Sequence, residues 1–225
     1  DVILSALILN EKGLERAIKS KVKKILMGVS ASETHSKKNT RMSTSEATKR
    51  IINIAKEAIS AGYEVQVSVQ SAFGCGYEGK VPKENVLRII EKYLEADLRN
   101  ISLADTAGHA NPKYVKELFN DIQNFSSNLT LACHFHNTFG LGLLNVMAAV
   151  ESGVEFIETA FGGLGGCPFT KVAAGNVPTE DVVHLLQREG YEINIDTHKL
   201  IDLAKDVSTY FNRELPGFIY KTGPI

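Results

Sequence analysis

The sequence is short of several things, and each absence narrows what the protein can be. Only three cysteines occur in 225 residues: Cys75, Cys133 and Cys167. An odd, sparse set does not make a disulfide framework and suits a reducing cytosol or organelle matrix. Neither sign of charge dominates, because 25 Lys and Arg stand against 26 Asp and Glu for a net charge of −1. That balance gives no general pull toward nucleic acid or an anionic membrane surface. No apolar run approaches the roughly 20 residues of a membrane span, and no secretory signal pattern occurs within these residues. Low-complexity tracts, linkers and short repeats are missing too. So is an initiator Met, and residues 1–7 already read as a strand interior, so the natural protein is expected to extend further toward its N-terminus. What is there is a chain with 44% hydrophobic and 23% charged residues, enough apolar material for a sizeable core and far from disorder.

Strand-like runs beginning near Val2, Lys24, Val65, Asn100, Leu129 and Val154 alternate with helical patterns. Ser43 and Glu46 form a capping box before an apolar face of Ala47, Ile51, Ile54, Ala58 and Ile59, with Gly62 as a stop. Pro82 suits a first helical turn before Val86, Ile89, Ile90, Tyr93 and Leu94. Asn111 and Pro112 repeat the start signal, and Leu143, Leu144, Met147 and Val150 make a further stripe. Thr179 reads as a cap with Glu180 and Asp181 in the first turn. Strict alternation implies a parallel sheet. An open doubly wound sheet and a (β/α)8 barrel both fit. No G-x-G-x-x-G follows the first strand, and polar groups stand at the C-terminal end of nearly every strand, which favours the barrel. The expectation is an incomplete (β/α)8 TIM barrel with six of eight βα units, one N-terminally truncated domain over 1–225, ending in helices over 178–212. Residues 30–42 and 71–80 read as long loops framing the barrel mouth.

Three motifs carry chemistry. In Cys133-His134-Phe135-His136-Asn137, residues two apart share a strand face, so His134 and His136 form a pair of metal ligands or, alternatively, two buried hydrogen-bonded histidines. Phe161-Gly162-Gly163-Leu164-Gly165-Gly166-Cys167-Pro168 is a Gly-rich loop that either swings a catalytic Cys167 onto substrate or is a plain turn or phosphate cradle. Asn176 is an oxygen donor suited to a hard cation, or a turn Asn. Asp105 is a base, an outer partner of the site, or a turn Asp.

The stretches SASETHSKKN, GCGYEGK, ISLADTAG, HFHNTFG, GGLGGCPF and AAGN-x-x-TED resemble, in order, the 3-hydroxy-3-methylglutaryl-CoA lyase group of the divalent-metal lyase barrels. The resemblance implies that His134, His136 and Asn176 hold a catalytic Mg²⁺ or Mn²⁺, with Zn²⁺ less favoured. It implies that Cys167 is the acid that protonates a leaving enolate, and that Asp105 and Glu180 are acidic residues of the site. His134 would share in proton transfer. The implied reaction splits a β-hydroxy acyl-CoA into acetyl-CoA and a keto acid, the chemistry of leucine breakdown and ketone-body formation. Lys37, Lys38, Lys80 and Lys171 are candidates for the CoA phosphates, or solvated loop lysines; Gly165 and Gly166 are further candidate substrate contacts. The implied partner is a small acyl-CoA in the bacterial cytoplasm or an organelle matrix, with no nucleic acid or membrane, and the implied assembly is a homodimer.

Two departures qualify the resemblance. The family's first strand carries an Arg-Asp-Gly segment, with a catalytic Arg and a metal-binding Asp, and its second carries a Glu. No counterpart lies in this chain, whose first strand matches the family's third. The 225-residue chain alone is therefore expected to be inactive and poorly soluble, with an exposed sheet edge. The residues after Cys167 and the segment Leu215 to Pro224 differ from the ketogenic lyases and resemble bacterial relatives that include citramalyl-CoA lyases. A citramalyl-CoA lyase and a non-catalytic scaffold are the alternatives.

Overall fold

In the computed structural model, which describes residues 2–166 and 175–225, the strands form one parallel six-stranded sheet. They are β1 (Ser5–Leu7), β2 (Lys24–Ser30), β3 (Glu64–Gln70), β4 (Asn100–Ala104), β5 (Thr130–His134) and β6 (Phe156–Glu158), and they lie in the order of the sequence. A doubly wound sheet reverses its order at a switch point; this one never does. Right-handed crossovers running in one direction put every connecting helix on one face, and the sheet curls away from them. The curl is tight enough that Gln66 on β3 bonds Glu158 on β6, and Lys24 on β2 places its ammonium 5.4 Å from the centre of the Phe156 ring on β6. The sheet is thus a half-barrel with β1 and β6 as open edges. Leu4, Leu7 and Leu9 stand exposed along the β1 edge.

Register sorts the side chains by parity. Ile25 pairs Val65, Met27 pairs Val67 and then Ile101, and Leu103 pairs Cys133. These point outward into the core beneath the helices α1 (Glu11–Ile18), α2 (Glu33–Thr40), α3 (Thr44–Ser60), α4 (Lys83–Glu95), α5 (Pro112–Gln123) and α6 (Gly142–Glu151). The intervening residues, Leu26, Gln66, Ser68, Ser102, Ala104, His134 and Glu158, face the hollow. Gly28 lies on this side because a Cβ there would come within 2.0 Å of the Ser68 hydroxyl.

Caps decide where several helices begin. Ser43 and Glu46 close the expected capping box on α3, and Asn111 caps α5 with Pro112 in its first turn. Four local expectations need correction. Residues 30–42 are not all loop: Ser32 accepts from the His35 amide and starts α2. Pro82 sits at the cap of α4 rather than inside its first turn. On α6 the buried face is Asn145, Val146, Ala148 and Ala149, while Leu144 is exposed. Small residues take the fully buried positions where α6 packs on α5, while Leu143, Met147 and Val150 of the expected stripe pack half-buried against the same core. Thr179 does not cap α7 (Thr179–Arg188), because its hydroxyl bonds Thr159 and Pro178 occupies the cap. Beyond it, α8 (Thr197–Tyr210) and α9 (Ile219–Thr222) close a small second cluster of Ile201, Ala204, Leu215 and Tyr220. Among the described residues no helix is long and apolar enough to cross a membrane.

Candidate active site

The hollow of the half-barrel holds a cleft of about 420 Å³ at the C-terminal ends of the strands. Its polar lining comes from Gln66, Ser68, Thr106, His134, His136, Glu158 and Asn176. His134 ends β5, and one residue on, the backbone leaves the sheet and pairs antiparallel with the segment around Asn176. The Asn137 amide donates to Gly175 and the Val177 amide to Phe135. This bridge brings together residues forty apart in the chain and puts Asn176 beside the histidine pair.

The histidine Nε2 atoms are 3.1 Å apart. Two nitrogens so close cannot both present lone pairs to nothing. They share either a proton or a cation. Neighbouring ligands at right angles on an octahedral ion, each about 2.1 Å from it, are about 3.0 Å apart, so the spacing fits a common divalent ion. Burial, with the charge of His134 beside it, pushes His136 down to about 4, which keeps its ring neutral and able to ligate. Asn176 donates its amide to the Leu164 carbonyl at 2.7 Å. Its Oδ1 is buried and has no partner among the described residues, the state expected of an oxygen awaiting a cation. The described residues hold no cluster of three His, Cys, Asp or Glu placed to bind a metal, so the trio relies on this amide oxygen.

The other expected residues separate. Gly166 lines the cleft, and Gly165 lies against the Asn176 amide. Cys167, like Lys171, lies outside the described residues. Asp105 is buried behind the cleft, and its carboxylate accepts from the His109 and Ala110 amides at 2.8 and 3.1 Å. Burial nevertheless lifts it to about 7 against the pull of those amides. Glu180 is buried under the glycine loop, accepts from the Gly162 amide at 3.1 Å, and is pushed up by burial. Both acids shape loops and neither lines the cleft. Lys37 and Lys38 are on α2, whose Asn39 reaches the cleft rim. Lys37 pairs with Glu33 at 3.1 Å, and the Lys38 ammonium is 4.8 Å from the Tyr77 ring centre. Lys80 opens instead onto a separate surface groove with Phe73, His109 and Tyr114.

Sequence reasoning missed Glu158 and Gln66. Glu158 accepts from His134 Nδ1 at 3.1 Å and from Gln66 Nε2 at 2.5 Å. Burial raises the Glu158 carboxyl, but the bond and charge of His134, helped by Ser102 and then Gln66, outweigh it and hold it below the usual range. The signal lay in register, which sets Glu158 directly beside His134; at that strand end, attention falls on Thr159.

Comparison with known proteins bears on this site. The HMGL-like family model matches residues 1–207. The chain is 35% identical to a hydroxymethylglutaryl-CoA lyase of Bacillus subtilis, covering 96% of this chain and 72% of that one. It is 33% identical to an (R)-citramalyl-CoA lyase of Chloroflexus aurantiacus, covering 98% and 70%. Among solved structures, an HMG-CoA lyase from Acinetobacter baumannii in complex with coenzyme A and 3-methylmalate superposes with a TM-score of 0.94 at 37% identity, covering 100% of this chain and 73% of that one. The chain spans between 63% and 72% of the length of the curated relatives it matches.

Proposed function

Since the chain belongs to the HMGL-like family, we propose that it is a divalent-metal-dependent carbon–carbon lyase acting on a β-hydroxy acyl-CoA. The preferred substrate is 3-hydroxy-3-methylglutaryl-CoA, cleaved to acetyl-CoA and acetoacetate. The observation that carries the reading is the His134–His136 pair, Nε2 to Nε2 at 3.1 Å, beside the unpartnered Asn176 Oδ1 in the cleft.

In this reading His134, His136 and Asn176 hold the ion. An Mg²⁺ or Mn²⁺ held there would supply Lewis-acid stabilisation of a substrate alkoxide, which would lower the cost of removing the hydroxyl proton. With Nε2 given to the ion, His134 is assigned a share in proton transfer only through its Nδ1–H bond to Glu158. As the bond between the carbinol carbon and the thioester α-carbon breaks, its electron pair passes into the thioester as an enolate. Cys167 is assigned the proton delivered to carbon, because a thiol near its ordinary pKa of about 8.5 is protonated at neutral pH. Asp105 and Glu180 contribute indirectly, by setting the β4 turn and the glycine loop. Lys37 and Lys38 at the rim are assigned to the CoA phosphates. Lys80 is assigned there more weakly, since its groove is separate. The reading includes a homodimer in a bacterial cytoplasm or organelle matrix.

A second reading, a citramalyl-CoA lyase, is favoured by the similarity to the Chloroflexus protein. One assay separates them. Acetyl-CoA release is followed from hydroxymethylglutaryl-CoA and from citramalyl-CoA, with Mg²⁺, Mn²⁺ or chelator. It is run on the chain as it stands and joined to the N-terminal βα units of the Bacillus lyase, which supply the expected Arg and Asp. Chelator-sensitive cleavage that prefers hydroxymethylglutaryl-CoA supports the first reading. A folded, CoA-binding chimera that cleaves neither thioester overturns both.

A further inference from the structure

The cleft contains one polar group that the cleavage scheme uses only as a backing: Glu158, with Gln66 behind it. We propose that Glu158, held in place by Gln66, is a positioning residue that fixes His134 as the tautomer protonated on Nδ1, so that its Nε2 lone pair points at His136 and the cleft. The proposal rests on the reading of His134 as a ligand for its purpose, but its geometry stands without a metal.

The directions of four groups settle the argument. Gln66 reaches Glu158 Oε1 through its amide nitrogen, which can only donate. Glu158 Oε2 is left for His134 Nδ1 at 3.1 Å. A carboxylate accepting at both oxygens makes Nδ1 the donor. His134 Nε2 then carries a lone pair, and it faces His136 Nε2 at 3.1 Å. His136 Nδ1 is buried with no partner among the described residues. A buried N–H without an acceptor costs more than a buried lone pair without a donor. So in the metal-free chain the His136 hydrogen sits on Nε2 and is donated to His134. The series runs one way, from His136 through His134 to Glu158, with Gln66 donating from the far side.

The placement is rigid as well as directional. Gln66, His134 and Glu158 stand on β3, β5 and β6, strand residues rather than loop residues. Groups mounted on strands hold a ligand's orientation better than groups on loops. A second partner on the far nitrogen of a ligating histidine fixes its tautomer and raises its basicity. Gln66 has a further duty, since it bonds across the hollow and stops Glu158 rotating away.

The test reads tautomers directly. In the metal-free chain labelled with ¹⁵N-histidine at pH 8.5, long-range ¹H–¹⁵N correlations identify which ring nitrogen carries the proton, with the His134 signals assigned by their loss in His134→Gln. The expected pattern is Nδ1–H for His134 and Nε2–H for His136. Glu158→Ala is expected to shift His134 to a mixture or to the other tautomer. Glu158→Gln can face His134 with either its oxygen or its NH2, since the Gln66 amide can flip to match, and is expected to give a mixture. The exchange Gln66→Glu with Glu158→Gln restores a donor and acceptor to each partner and is expected to recover Nδ1–H, which also covers the case in which Glu158→Ala fails to fold. A parallel Mn²⁺ titration followed by electron paramagnetic resonance is expected to show about 10–100-fold weaker binding in Glu158→Ala, recovered by the exchange. His134 found as Nε2–H in the unmodified chain, or unchanged in Glu158→Ala, overturns the proposal. An unmodified chain with Nδ1–H on His134, whose chimera carrying the Bacillus N-terminal βα units binds no Mn²⁺, supports the positioning and refutes the metal reading instead.

Discussion

On the helix-covered face of the sheet stand Ile25, Met27, Val67, Val69, Ile101, Leu103, Leu131 and Cys133, none more than 2% exposed. One residue along each strand, on the hollow face, stand Leu26, Gln66, Ser68, Ser102, Ala104, His134 and Glu158. The same strands supply both sets, and only parity separates them. The outer set is interchangeable in kind: each member contributes apolar burial, about 1.5–3 kcal/mol for a large side chain. The inner set is not, because its charged and titratable members depend on particular neighbours across the sheet, as Glu158 does on His134 and Gln66. Stability resides on one face and chemistry on the other, and a residue's number tells which.

The sharpest way to break this division is to change one inner residue and look for an outer effect. His134→Gln keeps a donor for Glu158 but removes the ring nitrogen facing His136. Turnover in the thioester cleavage assay, run on the chimera with the Bacillus N-terminal βα units, is expected to fall about 10²–10³-fold, the scale of losing one electrostatic contributor to a transition state, while the urea midpoint barely moves. A comparable collapse in stability would show that the faces are not separate.

The converse change is Leu103→Ala on the outer face. Urea unfolding should show a loss of about 2–5 kcal/mol from the cavity left in a fully buried site, with Mn²⁺ affinity of the folded fraction unaltered.

Third comes pH. His136 falls from 6.5 to about 4 in the folded chain. An unfolded His136 therefore binds a proton between those values when the folded one does not. Its stabilising contribution is complete above pH 6.5 and drains away as pH falls toward 4, by up to about 1.4 kcal/mol per pH unit. Replacing His136 by Gln should flatten the stability profile of the metal-free chain across that window; an unchanged slope would show that the imidazole is not held neutral.

The smallest effect belongs to Ser102→Ala. The Ser102 hydroxyl is buried on the inner face and makes no well-formed hydrogen bond, though it lies close enough to Glu158 to help hold that carboxyl down, so its loss should change stability by no more than about 0.5 kcal/mol. A loss above about 1 kcal/mol in the same urea experiment would show that Ser102 holds Glu158 through a full hydrogen bond.

Much of this was readable before any coordinates. Alternation of strands and helices, the capping box at Ser43 and the pair His134 and His136 are local signals, and local signals survive folding. The rest depends on distance. Glu158 acquires meaning only when β6 is set beside β5 and the curl brings β3 across the hollow, and nothing within ten residues of Glu158 announces either. On α6 one member of the expected stripe, Leu144, stands exposed for a related reason. Periodicity shows that a helix has an apolar side, but closeness to α5 decides whether Leu144 or Ala149 is admitted. Ser32 and the helix after it were hidden by composition, because a run of Ser, Lys and Asn reads as loop until a cap is recognised. Asp105 and Glu180 are legible as acids, but that Asp105 accepts from two backbone amides, and Glu180 from one through Oε2 with Oε1 left unpartnered among the described residues, is set by their turns rather than by their spacing.

The glycine loop is held from two directions. Gly162 donates its amide to Glu180 and accepts at its carbonyl from the Gly217 amide at 3.0 Å. Its φ of 59° and the Leu215 side chain packed beneath it leave no space for a Cβ. The neighbouring Asp181 accepts from the amides of Phe218 and Ile219, fastening that later segment to the same helix. During synthesis the half-barrel can assemble as its strands emerge, since each pairs with the one made before it. The loop cannot. Its clamp is incomplete until residue 217 has left the ribosome, so the glycine loop takes shape only after the strands that precede it.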